Sequence, residues 1–301
     1  MQVGRRTLLG FAAASLLTRR AFAAAPIIRV EEPKVGGTRL YSVPYVVYRP
    51  AWFAPRDGKA DIVVHFHGGS QLQEENFVTA QLNAVVVSIN LGVTSGAYSS
   101  FARAGEPVFK TILEKTLSTL AMGGTPTLSA GRVALSAWSA GFGALRPLLQ
   151  SAAVRDRVDA VLIADGMFSA FVNPQMRTIH TDGLSGTFAF ARAAVARQRM
   201  FVCTHTAIPT VEYASVAETT KALLDDLGVP KKSLTGDPRQ PSYEAKRGLF
   251  TALGYAGANK EAHIDQIKFM GENMFKPLRE RWNKPVATTL AQTGMSLQNV
   301  P

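Results

Sequence analysis

Short unbroken apolar runs alternate with stretches of helical period along most of this chain, and that alternation narrows the folds open to it more than any other feature. The runs lie at 60–66, 84–89, 132–137, 158–164, 200–205 and 249–253. Between them, helical segments are expected at 71–82, 107–122, 140–149, 188–197 and 215–227, with a closing helix over 264–282. Runs without polar alternation suit strands buried on both faces, and the strand-helix-strand order implies parallel pairing with helices covering both sides. Two earlier extended stretches, 27–30 and 40–48, are broken by Gly36-Gly37 and ended by Pro50, which predicts an antiparallel lead-in. The expected architecture is a mostly parallel twisted sheet of about eight strands, with functional side chains on loops at the carboxyl ends of the strands. Segment 229–246, rich in Pro, Lys and polar residues, reads as a surface loop, and 283–301 as a loosely attached tail.

A chain of 301 residues that is 47% hydrophobic and 18% charged can bury a sizeable core, which excludes a disordered or fibrous protein. No linker interrupts 24–282, so one domain is expected there. Residues 1–23 read differently. A basic start with Arg5-Arg6, a short apolar run through Leu17, and Ala21-Phe22-Ala23 make a cleavable export signal too short to span a bilayer stably. The arginine pair followed by Leu8-Leu9 resembles the twin-arginine signal of bacteria, which implies a periplasmic or secreted mature protein.

Removing the four leader arginines lowers the formal charge from +11 to +7, a moderately basic balance that favours anionic partners. No dense Lys/Arg stripe interleaved with aromatics accompanies it, so nucleic-acid binding is not expected. Cys203 is the single cysteine, so no intrachain disulfide can form.

The segment Val133-Ala134-Leu135-Ser136-Ala137-Trp138-Ser139-Ala140-Gly141-Phe142-Gly143-Ala144 carries the chemistry. A buried strand runs into a serine flanked by small residues and leaves it as a helix, so the Ser139 side chain stands exposed at a helix start, where the N–H of Ala140 can meet a developing oxyanion. Residues two before and two after the serine crowd the turn, and Ala137 and Gly141 are small enough to fit. Ala137-Trp138-Ser139-Ala140-Gly141 resembles the G-x-S-x-G signature of the α/β-hydrolase family, departing from it at the first position, where alanine stands for glycine. His67-Gly68-Gly69 is similar to the His-Gly-Gly loop that completes the oxyanion hole in esterases and lipases of that family. The resemblance implies an α/β-hydrolase that needs no cofactor and cleaves a carboxylic ester, less readily an amide, through an acyl-enzyme on Ser139. The oxyanion donors would be the N–H groups of Ala140 and of Gly69 or Ser70. Its substrate would be a small or polymeric acyl compound.

A serine needs a base. Of five histidines, His263 lies after the last expected strand, where the resemblance places the base; His205 ends a strand and reads as a core histidine. Two acids compete for the third role. Asp165 directly follows an unbroken apolar run, whereas Glu212 lies in a loop with Pro209 on the more usual side of the sheet. Asp165 is preferred. His67, Trp138, Met167 and Phe168 are expected to line an apolar substrate pocket, and 167–199 is long enough to form a small cap. Rival readings are a metal-dependent hydrolase built on His65, His67, His205 and Asp165, a non-catalytic periplasmic binding protein on the same scaffold, and an acyltransferase using the same acyl-enzyme.

Overall fold

A computed structural model describes residues 28–235 and 240–283; the expected leader 1–23, and the tail beyond Asn283, lie outside the described residues. Strands β1 (Arg29–Glu31), β2 (Thr38–Ser42) and β3 (Tyr45–Arg49) pair antiparallel, and the single extended stretch expected at 40–48 folds back on itself over Val43-Pro44. Then follow β4 (Lys59–Phe66), α1 (Ser70–Ala80), β5 (Val85–Ile89), α2 (Ser95–Phe101) and α3 (Glu106–Met122). The middle of the chain forms β6 (Ser129–Trp138), a 3-10 turn at Ser139–Gly141, α4 (Phe142–Gln150), α5 (Ala152–Arg157) and β7 (Ala160–Ala164). A small hairpin of β8 (Phe171–Asn173) and β9 (Thr178–Ile179), the helix α6 (Ser185–Val195), β10 (Met200–His205) and α7 (Val216–Leu227) come next. The last elements are β11 (Lys232–Ser233), β12 (Tyr243–Arg247), β13 (Phe250–Gly254), α8 (Lys260–Lys268), a π turn at Gly271–Phe275 and α9 (Lys276–Asn283).

All strands except β8 and β9 join one sheet in the order β1-β2-β3-β5-β4-β6-β7-β10-β13-β12-β11. From β5 to β13 every neighbouring pair is parallel, and the outer strands on both edges are antiparallel. The buried strands alternate between two apolar layers: Ile62, Val64 and Phe66 face the layer holding Phe109, Leu145 and Phe190, while Val63 faces the layer holding Phe77, Met274 and Phe275. Helices therefore cover both faces. Strand order and helix placement together are the α/β-hydrolase fold.

Among the described residues the sheet has eleven strands instead of the expected eight or so. Part of the excess comes from 229–246, read as a surface loop, which supplies β11 and β12. Only Ala245 of β12 is fully buried, with Glu244, Lys246 and Arg247 on a polar edge, so the segment carries no apolar run to announce it. The closing helix also differs from expectation. It begins at Lys260, capped by the Asn259 side chain, and is interrupted by the π turn before α9. Among the described residues no helix is long and apolar enough to cross a membrane.

Candidate active site

The turn after β6 places Ser139 at φ +49°, a left-handed angle that a non-glycine residue adopts only when its surroundings over-determine it. Those surroundings are close. A Cβ on Gly141 would stand 2.1 Å from the Phe66 carbonyl oxygen, and one on Gly166 would stand 2.8 Å from the Ser139 carbonyl oxygen. The Ala137 side chain, by contrast, is accommodated in the core. This asymmetry explains the departure from the G-x-S-x-G pattern: the fold tolerates a methyl group two residues before the serine and none two residues after it.

Three side chains from the segments that follow β6, β7 and β13 meet at this turn. His263 lies in the first turn of α8 and hydrogen-bonds Ser139 Oγ through Nε2 at 2.8 Å and Asp165 Oδ2 through Nδ1 at 2.6 Å. Because a carboxylate only accepts, Nδ1 carries the proton and Nε2 is left to accept from the serine hydroxyl. Asp165 is 3% exposed, follows β7 and is itself left-handed at φ +43°. Its other hydrogen bonds come from Thr206, whose amide donates to Oδ1 at 2.9 Å and whose hydroxyl donates to Oδ2 at 2.7 Å. Glu212 is not brought to this group; it lies exposed between β10 and α7.

His263 is held from its other side by Trp138. The indole N–H donates to the His263 carbonyl at 3.0 Å, and the two rings stack with centroids 4.8 Å apart. The indole in turn stacks on His67 at 5.0 Å, and His67 Nδ1 bonds the Tyr98 hydroxyl at 2.9 Å. Trp138, backed by His67, thus braces His263, and neither lines the cavity, a correction to the expected pocket. Met167 is also corrected: it is fully buried in the core, its carbonyl accepting from Thr219. Phe168 does line the cavity.

Gly69 is the N-cap residue of α1 with extended backbone angles, and Ser70 is the first residue of that helix. His67 and Gly68 before it are left-handed, at φ +73° and +101°, and the His67 carbonyl accepts from His65 Nε2 at 2.7 Å. His65 Nδ1 then accepts from Ser136 on the neighbouring strand at 2.9 Å. His65 is fully buried, and loss of solvation pushes its pKa down to about 3, so it is a neutral strut between the loop and β6. Burial likewise lowers the pKa of His67 and of His205, which bonds the Thr206 carbonyl and the Tyr243 hydroxyl. The histidines of the metal reading are thus separately engaged, and among the described residues no group of three His, Cys, Asp or Glu side chains is disposed to share an ion.

A cavity of about 590 Å³ opens over Ser139 and His263, lined also by Val93, Arg146, Phe168, Ile208, Tyr213 and Val216. Ala170, just before the β8–β9 hairpin, reaches its wall, so part of the segment expected as a cap contributes there. Thr206, Arg146 and the bracing role of Trp138 were not anticipated from sequence. Thr206 sits one residue past a strand end, and Arg146 lies seven residues beyond Ser139, about two helical turns along the same face, so both had a positional signal.

No family model matches the chain, and no curated protein matches it in sequence. Solved structures do resemble it. An uncharacterised protein from Capnocytophaga ochracea is 9% identical over 83% of this chain, with a TM-score of 0.44, and the chain spans 64% of that protein's length. A feruloyl esterase module from Clostridium thermocellum is 11% identical over 82% of this chain and 88% of its own, with a TM-score of 0.45. A siderophore hydrolase from Aspergillus nidulans is 12% identical over 94% and 99%, with a TM-score of 0.43.

Proposed function

We propose that the protein is a serine hydrolase that cleaves a carboxylic ester through an acyl-enzyme on Ser139. The observation that supports this most is the continuous hydrogen-bond line from Ser139 Oγ through both nitrogens of His263 to Asp165. In the proposed reaction Ser139 attacks the ester carbonyl as its proton passes to His263 Nε2. Asp165 keeps the imidazole in the required tautomer and stabilises the imidazolium. The oxyanion takes hydrogen bonds from the amides of Ala140 and of Gly69 or Ser70. His263 next gives its proton to the departing alkoxide, leaving Ser139 acylated. Water, deprotonated by the same histidine, then releases the acid and restores the serine.

A fluorophosphonate probe on the mature protein tests the reading. Wild type should be labelled and Ser139→Ala should not, with the variant as stable as wild type because only one half-buried hydroxyl is lost. The buried Ser136 is the control, and Ser136→Ala should still be labelled. Labelling that persists in Ser139→Ala would move the nucleophile elsewhere. A panel of esters and amides of graded acyl length then separates ester from amide hydrolysis.

A further inference from the structure

The cavity over Ser139 is lined by a cation that has no partner among the described residues. Arg146, half-buried on α4, lines the cavity yet donates no hydrogen bond and forms no ion pair with any described residue. Other arginines of the same partial burial are satisfied: Arg132 by Asp61, Arg157 by the carbonyls of Ala130 and Gly131, and Arg281 by Asp159. A guanidinium that lines a cavity with no counter-charge beside it has its N–H groups free to donate to a ligand. The lining residues hold one carboxylate, Asp165, and its oxygens are occupied by His263 and Thr206.

We propose that Arg146 is a specificity residue that binds an anionic group on the substrate, so that the preferred ester carries a carboxylate or similar oxyanion some distance from the bond that is cleaved. The proposal rests on the reading of Ser139 as nucleophile. Arg146 stands about two helical turns from Ser139, a separation of roughly 10 Å along the axis, so the anion and the scissile carbonyl belong to one extended molecule and not to a single carboxyl group. A planar fork of N–H donors matches a carboxylate in two hydrogen bonds, which gives orientation as well as affinity. Phe168, Ile208, Tyr213 and Val216 line the same cavity and suit the apolar spacer between the two groups. Without the four leader arginines the chain still holds 29 Lys and Arg against 22 Asp and Glu, a balance that favours the approach of an anionic substrate.

The test compares kcat/KM for charged and neutral esters of matched length, with the charge on the acyl side in one arm (monoethyl adipate against ethyl hexanoate) and on the alcohol side in the other (para-acetoxybenzoate against phenyl acetate). In at least one arm the wild type should prefer the charged ester, and Arg146→Gln should lower that charged-to-neutral ratio by about 10- to 100-fold. Arg146→Lys, which keeps the charge and loses the fork, should fall between, and it replaces the Gln variant if that one does not fold. A ratio at or below one in both arms, or one unchanged by either variant, overturns the proposal. Fluorophosphonate labelling of the same samples separates the two readings: labelled protein with a flat ratio overturns only the anion site, whereas unlabelled wild type removes the nucleophile on which it rests.

Discussion

Ser139 and Asp165 are both held at left-handed backbone angles. Gly166, directly after Asp165, packs on the backbone of Ser139, so the turns that carry Ser139 and Asp165 are fixed against each other. Such preorganisation places the hydrogen-bonded groups before any substrate arrives. The consequence for Asp165 is specific. Asparagine keeps its shape but can donate toward Nδ1, which favours the tautomer with the proton on the nitrogen facing Ser139. Asp165→Asn should therefore lower kcat by about three to four orders of magnitude. Glu212→Gln, at an exposed position away from His263, should leave kcat close to wild type. Steady-state kinetics on folded variants check this, and the opposite ranking would assign the acid role to Glu212.

At the scale of elements, α8 carries His263 and α1 follows the Gly69 loop, and one side chain ties the two helices together. Asn76 on α1 donates to the Ile267 carbonyl at 2.8 Å and accepts from the Gly271 amide at 2.8 Å, supplying partners where α8 gives way to the π turn. Asn76 is 2% exposed, so water cannot replace it. Asn76→Ala should cost about 2–4 kcal/mol of stability, from two buried backbone groups left without partners, and urea unfolding measures it. A loss below about 0.5 kcal/mol would mean that the helices re-pair by other means.

Over the whole molecule, acid should be destabilising partly because histidines are buried neutral. His65 has an ordinary pKa of 6.5 and is held at about 3 in the folded chain by burial. Below 6.5 the unfolded chain takes up a proton that the folded chain refuses, so stability present above pH 6.5 is progressively lost as pH falls toward about 3. His67 and His205 shift in the same direction and add to the slope. His65→Gln should flatten the fall in unfolding free energy between pH 6.5 and 4, even though it lowers stability at neutral pH by disturbing the bonds to Ser136 and the His67 carbonyl. Urea unfolding across that range reads the slope, and a variant slope equal to wild type would place the proton uptake on other groups.

The α/β alternation and the turn at Ser139 were legible in the sequence because both are local. A strand buried on two faces must be apolar throughout, and a tight strand-to-helix turn must be flanked by small residues, whatever the rest of the chain does. The edge strands β11 and β12 were illegible for the converse reason: one side of an edge faces water, so its residues resemble a loop. The choice between Asp165 and Glu212 could be argued from sequence by strand position, but which carboxylate meets His263 depends on the docking of α8 over β7 and β10. The same holds for the Trp138 brace, the Asn76 tie and Arg146, which has no partner among the described residues. Each is defined by groups that come together from distant segments, and a side chain's partners, or its lack of them, exist only once those segments have packed.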